Sequence, residues 1–258
     1  MIAAIASGAI LSCDKKTPPV TPPPVDTTEH KIVTAIDSNN RLSDAEKEAG
    51  YELLFDGETL DGWKRFNHDT IGPLWSVKDG VIICDGTGLT EGTANVGGSL
   101  TTIRKFENFD LTVDWKLSPG GNSGILYHVV EDKKYHSDYE TGPEYQVMDD
   151  NGWKGEKLRE VQKAGGSYDM FAAPTTKKVK PVGEWNTSRI IYNKGHVEHY
   201  LNGEKVVEFD ENSPEFKAAY KKSKWTGYKD WNKSKKGAIS LQDHGAAVYF
   251  RNLKIKSL

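Results

Sequence analysis

The chain is poor in cysteine and carries no excess of charge. Its 258 residues contain 2 cysteines, Cys13 and Cys84. With Cys13 at the head of an N-terminal tether, where lipidation is expected, no intramolecular disulfide is available, and a packed core has to hold the fold. Lys and Arg number 34 against 37 Asp and Glu, a net charge of -3. That balance supplies no long-range pull towards nucleic acid or an anionic membrane surface, so a neutral partner fits better. Also missing are a glycine-rich phosphate loop, a Gly-x-Ser-x-Gly elbow and a cysteine nucleophile. No two histidines have metal-ligand spacing, since His196 and His199 fall on opposite faces of a strand. The apolar stretch Met1 to Ser12 is too short to cross a bilayer.

That stretch reads as an export signal over residues 1–12. Ile10-Leu11-Ser12-Cys13 resembles the bacterial lipobox, which implies a lipid on Cys13 and a cell-envelope location facing the periplasm or the surface, with membrane contact through the anchor alone. Residues 13–40 follow as a tether, because Thr17-Pro18-Pro19 and Thr21-Pro22-Pro23-Pro24 favour extended chain with little to bury. Residues 41–258 are long enough for one sizeable core. Within them Ser43 caps a short helix, with Glu46 three residues on as a capping box requires and Gly50 to end it.

From Tyr51 onward the signals are those of strands. Leu53 to Phe55, Trp75 to Val77, Val81 to Cys84, Ser99 to Arg104, Phe109 to Leu117, Gly124 to Val130 and Glu144 to Met148 are punctuated by turn residues. So are Arg189 to Tyr192, His196 to Leu201, Lys205 to Phe209, Ala238 to Gln242 and Ala247 to Lys256. Asn202-Gly203 marks a tight hairpin. This many short strands predicts an all-β, two-sheet sandwich with short peripheral helices. Cys84 is expected as a buried small residue in its strand. Ser213 to Gly237 breaks the rhythm as a helix-bearing excursion that could fold over a cleft, and Asn151 to Pro181 forms a second long loop.

Two segments carry the candidate chemistry. Glu144 and Gln146 alternate in one, and Ser240, Gln242 and His244 in the other, so each set faces one side of its strand. Core strands fill such a face with Val, Ile and Leu, so Glu, Gln and His there predict a polar cleft. Glu144 and His244 are the candidate catalytic pair, with Asn122, Gln146, Gln242, Tyr168, Arg104, His128 and Asp149 as candidate substrate contacts. Glu144-x-Gln146-x-x-Asp149 is comparable to the Glu-x-Asp-x-x-Glu strand of laminarinase-like glycosidases. Here, however, the central carboxylate is replaced by Gln146, and strict alternation sends Asp149 to the opposite face.

Taken in order, Leu53-Leu54-Phe55-Asp56-Gly57, Leu60-Asp61-Gly62-Trp63 and Gly121-Asn122-Ser123-Gly124-Ile125 resemble the 3-keto-disaccharide hydrolase family. Gly142-Pro143-Glu144-Tyr145-Gln146, Trp185-Asn186, Asn202-Gly203, Leu241-Gln242-Asp243-His244-Gly245 and Phe250-Arg251-Asn252-Leu253 continue the likeness, which covers about Ala45 to Leu258. The resemblance implies a concanavalin A-like jelly roll, a secreted or lipid-anchored home in Bacteroidetes-type bacteria, and cleavage of glycosides whose sugar bears a ketone at carbon 3. Many relatives are expected to carry arginine where this chain has His128. Such a ketone acidifies the hydrogen on carbon 2, so a base can remove it and expel the group on carbon 1 before water adds back. Glu144 and His244 are the base and acid in an order left open, and the enolate needs hydrogen bonds or a divalent metal. A two-carboxylate glycosidase using Glu144 and Asp149 is the rival mechanism. A lectin-like carbohydrate-binding module and a surface adhesion protein are the rival functions.

Overall fold

The computed structural model describes residues 39–87 and 97–258. The expected export signal, Cys13 and the tether up to residue 38 lie outside the described residues. The first helix, α1 (Asp44–Glu48), forms as expected, with the Ser43 side chain accepting the Glu46 N–H and the Glu46 carboxylate reaching back to the Ser43 N–H.

Thirteen strands follow among the described residues. They are β1 (Glu52–Leu53), β2 (Trp63–Arg65), β3 (Trp75–Lys78), β4 (Val81–Asp85), β5 (Leu100–Thr102), β6 (Phe109–Leu117) and β7 (Asn122–Val129). After these come β8 (Glu144–Met148), β9 (Asn186–Asn193), β10 (His196–Leu201), β11 (Glu204–Asp210), β12 (Ala238–Leu241) and β13 (Ala247–Ser257). The larger sheet runs β11-β10-β9-β6-β13-β4-β3, with β1 also paired to β13, and the smaller runs β2-β5-β12-β7-β8. All pairings are antiparallel. The fold is a concanavalin A-like jelly-roll sandwich with short peripheral helices. Asn202 and Gly203 both take positive φ, 50° and 86°, the geometry a two-residue hairpin turn between β10 and β11 requires.

The core lies between the sheets. Phe109, Leu111, Val113 and Trp115 of β6, with Phe250 and Ile255 of β13, meet Ile125 and Tyr127 of β7, Tyr145 and Val147 of β8, and Ile239 and Leu241 of β12. Period-two alternation produces this division, since each inward residue is followed by an outward one. Cys84 is a buried free thiol in β4. Burial, and then the Asp243 carboxylate, push its pKa well up, so it stays protonated and inert.

Strands β7, β8 and β12 are buried at every position, so the outer face of the smaller sheet is covered as well. Part of the cover is the expected excursion after Ser213. There α2 (Pro214–Lys222) starts with Pro214 in its first turn and the Ser213 hydroxyl accepting the Phe216 N–H at 3.0 Å. A single 3-10 turn, Lys224–Gly227, follows. Trp225 is fully buried and stacks on Trp231 with ring centroids 5.0 Å apart. Its indole N–H donates to the Tyr168 carbonyl at 2.9 Å, which ties this turn to the loop beyond β8.

Candidate active site

Three neighbouring strands, β12, β7 and β8, build the floor. Gly124 pairs with Gln146 and Leu126 with Glu144, while the Gln242 N–H donates to the Gly124 carbonyl at 2.9 Å. The residues that alternate away from the core therefore converge on Gly124. A Cβ at this position would lie 2.8 Å from Glu144 Cγ and Cδ. Glycine leaves the space in which the Glu144 side chain lies across the sheet.

Above this floor is a cleft of about 90 Å³ lined by Asn122, Tyr139, Glu144, Gln146, Tyr168, Lys224, Gln242 and His244. Glu144 and His244 thus share one cavity, together with four of the expected contacts, Asn122, Gln146, Gln242 and Tyr168. Glu144 is only 4 % exposed, too buried for an ordinary solvated carboxylate. The Gln146 and Asn122 amides beside it are fixed, and so is the Gln242 backbone. Gln146 Nε2 donates to Asn122 Oδ1 at 3.4 Å and to the Gln162 carbonyl at 3.3 Å. Ser123 Oγ donates to the Gln242 carbonyl at 2.8 Å.

A loop seals the open edge of β8. Gln146 exchanges backbone hydrogen bonds with Gly165 and Gly166, and the Tyr168 N–H donates to the Glu144 carbonyl at 3.0 Å. Gln162 Nε2 donates to the Tyr168 hydroxyl at 3.1 Å. Burial pushes the Tyr168 phenol pKa up and the charges of Glu144 and Asp169 add to it, so the group is a neutral phenol at physiological pH.

On the opposite side, Asp243 holds the turn that carries His244. This buried carboxylate accepts the Gly98 N–H at 2.9 Å and the Gly245 N–H at 3.0 Å. The His244 ring meets Trp153 edge-on, with centroids 6.0 Å apart.

Three expected contacts lie elsewhere. Arg104, beyond the end of β5, pairs with Glu52 at 2.7 Å and lies over the Phe106 ring, with its side chain 57 % exposed. His128 points into the core. Its backbone has φ of 55°, and the β7–β12 register shifts between Ala238 and Ser240, so a bulge turns the ring away from the cleft. There it packs against Phe109, Tyr127 and Tyr192, and its Nε2–H donates to the Glu107 carbonyl at 2.8 Å. Asp149 ties turns together, accepting the N–H groups of Gly120, Asn151 and Gly152 at 2.8, 3.3 and 2.9 Å. It is not among the cleft residues, which leaves the two-carboxylate pairing with Glu144 without its second member.

Two lining residues had no prior expectation, Tyr139 and Lys224. Both belong to segments that return to the sheet from a distance, and no periodicity announces them. The aromatic density of Trp225, Tyr228 and Trp231 was the available hint for Lys224.

A larger cavity of about 530 Å³ lies beyond Asp149 and is lined by Asp150, Glu160, Lys163 and Lys177 among others. Two pairs of its charges are already matched, Lys177 with Asp150 at 2.9 Å and Lys163 with Glu160 at 2.6 Å, and it holds neither Glu144 nor His244. The smaller cleft is therefore the stronger candidate. Among the described residues, the metal-ligating atoms of His196, Glu198 and Glu208 come within 4.8 Å of one another. They lie on paired strands of the larger sheet, where Lys205 also pairs with both carboxylates. In the cleft itself, Glu144, His244 and the amide oxygens are the groups that could hold a divalent ion.

Residues 50–256 match the 3-keto-alpha-glucoside-1,2-lyase-like domain. A Bacteroides thetaiotaomicron protein named 3-keto-disaccharide hydrolase is 35% identical over 230 residues, covering 81% of this chain and 79% of that one. A crystal structure from Parabacteroides distasonis, provisionally named a glycosyl hydrolase, is 42% identical with a TM-score of 0.77, covering 85% of this chain and 99% of that one. A second from the same species, named in the same way, is 30% identical with a TM-score of 0.56, covering 76% and 99%. By the extent of these matches, the chain belongs to the 3-keto-alpha-glucoside-1,2-lyase-like domain family.

Proposed function

We propose that this member of the family, a hydrolase, cleaves glycosides whose sugar carries a ketone at carbon 3, by elimination and then addition of water. The observation that carries the reading is that Glu144 and His244 line one cleft above Gly124. The ketone makes the carbon-2 hydrogen acidic, and Glu144 on the cleft floor removes it. Electrons move into the carbon-3 oxygen to give an enolate. Its collapse breaks the bond from carbon 1 to the glycosidic oxygen, which His244 protonates as it leaves. Water then adds to carbon 1 of the unsaturated ketone and a proton returns to carbon 2, so the sum is hydrolysis. Asn122, Gln146 and Gln242 hold sugar hydroxyls, the amides of Asn122 and Gln146 already oriented by the bond between them and the Gln242 backbone held by Ser123 and Gly124. Lipid anchoring at the cell envelope is the accompanying proposal, resting on Ile10-Leu11-Ser12-Cys13 and the proline-rich segment after it.

Glu144→Gln keeps shape and hydrogen bonding but removes the base. With a 3-keto disaccharide, turnover is expected to fall by roughly 10²–10⁴-fold while binding persists. Wild-type protein that cleaves ordinary disaccharides as readily as 3-keto ones would overturn the substrate class. Binding without turnover in the wild type would favour a lectin-like module instead.

A further inference from the structure

We infer that Lys224 is a catalytic residue, whose ammonium receives the negative charge that builds on the carbon-3 oxygen. This rests on the ketone substrate proposed above and names the group that stabilises its enolate. Lys224 lines the same cleft as Glu144 and His244. Its Nζ lies over three rings, 4.5 Å from the Trp225 centroid, 4.6 Å from Tyr168 and 5.2 Å from Tyr139. Ring faces attract a cation without neutralising it, and they leave its N–H groups able to donate to an oxygen.

The backbone beneath is fixed on both sides. The Lys224 N–H donates to Asp169 Oδ2 at 2.6 Å, and Asp169 also pairs with Arg159. The next residue is the fully buried Trp225. The ammonium therefore projects from an anchored turn whose neighbours Ser223 and Trp225 are buried, while Lys224 itself is exposed.

The order of groups across the sheet matches the order of atoms in the substrate. His244 follows β12, Glu144 stands on β8 with β7 between them, Tyr168 comes from the loop outside β8, and Lys224 lies over Tyr168. Glu144 is thus flanked by His244 on one side and Lys224 on the other. In the sugar, carbon 2 is flanked by carbon 1, which bears the leaving group, and by carbon 3, which bears the ketone. A sugar placed with carbon 2 at Glu144 and carbon 1 towards His244 puts its ketone oxygen towards Lys224. Its binding strips water from the ammonium at the cleft mouth, and the attraction to the enolate strengthens accordingly.

The test compares wild type, Lys224→Met and Lys224→Arg in turnover of a 3-keto disaccharide. The same three proteins are scored by NMR for exchange of the carbon-2 hydrogen in deuterated water. Methionine still packs on the three rings but carries no charge. Lys224→Met is expected to lose about 10²–10³-fold in both kcat and exchange, the range for removing one oxyanion donor. KM should move far less, and Lys224→Arg should recover part of the loss. Wild-type exchange with Lys224→Met within about threefold of it, well below that range, would overturn the role of Lys224 and leave the ketone reading intact. Absence of carbon-2 exchange in the wild type would overturn both. Thermal unfolding of each variant separates a local loss of charge from a loss of fold.

Discussion

Gly124 lies directly beneath the Glu144 side chain, in a space that a single methyl group would fill to within 2.8 Å of Cγ and Cδ. Gly124→Ala must therefore displace the carboxylate or push β8 away from β7. Overpacking of this kind costs about 1–3 kcal/mol. The expected outcome is a modest fall in thermal stability and a kcat reduced at least tenfold on the order-of-magnitude scale of a misplaced catalytic group. An alanine variant with wild-type kcat would show that Glu144 has another productive position.

Asp243 is expected to serve His244 rather than the substrate. Replacing it by alanine leaves the half-buried N–H groups of Gly98 and Gly245 without their acceptor, at no more than about 1–3 kcal/mol for each group stranded. Asp243→Ala should lower both the denaturation midpoint and kcat. Asp243→Asn, which keeps one acceptor oxygen, should restore much of each. If kcat is unchanged in a destabilised Asp243→Ala protein, the His244 turn does not depend on this carboxylate.

Two buried imidazoles set an acid limit to stability. Burial pushes His128 down to about 4, partly opposed by its bond to the Glu107 carbonyl and reinforced by the Lys235 charge. Burial likewise pushes His199 down to about 4, opposed by the carbonyls of Gly165 and Gly166. The unfolded chain takes up these protons near 6.5, so it binds more protons than the folded chain as pH falls from there. Stability supplied by the neutral rings is complete above about 6.5 and is lost progressively on the way down to about 4. Urea midpoints at several pH values across that window should decline, and His199→Gln should flatten the slope. Equal midpoints at both ends would contradict the sign.

Arg104 provides the opposite kind of test. Its partner is Glu52 and its side chain is largely exposed, so Arg104→Ala should leave kcat and KM for a 3-keto disaccharide unchanged. An exposed ion pair of this type is worth about 0–1 kcal/mol, and the melting temperature should barely move. A large rise in KM would return Arg104 to the substrate contacts.

Alternation made much of the site legible in the sequence. Glu144 and Gln146 lie where the regular pleat of β8 sends them, and Gln242 and His244, just past the end of β12, reach the same cleft. His128 escaped that logic because one bulge residue reverses the face of everything after it, and a bulge leaves little trace in residue type. Asp149 was readable as a turn former from its Asp-Asn-Gly surroundings, and it acts as one. Lys224 and Tyr139 depend on where two excursions land, which is decided by long-range packing of Trp225, Met170 and their neighbours. The glycine at 124 carries positional information too. Its role is to be absent as a side chain, and periodicity reads only what is present.

The loop that docks along β8 also bears on how the chain behaves when it folds incompletely. A terminal strand with unpaired N–H and C=O groups is a template for joining other chains, and β8 ends its sheet. Gly165, Gly166 and Tyr168 occupy that template, and the same docking delivers Tyr168 to the cleft. Assembly of the catalytic surface and protection from polymerisation are therefore one event. A molecule whose loop has failed to dock is therefore expected to lose turnover and to aggregate together.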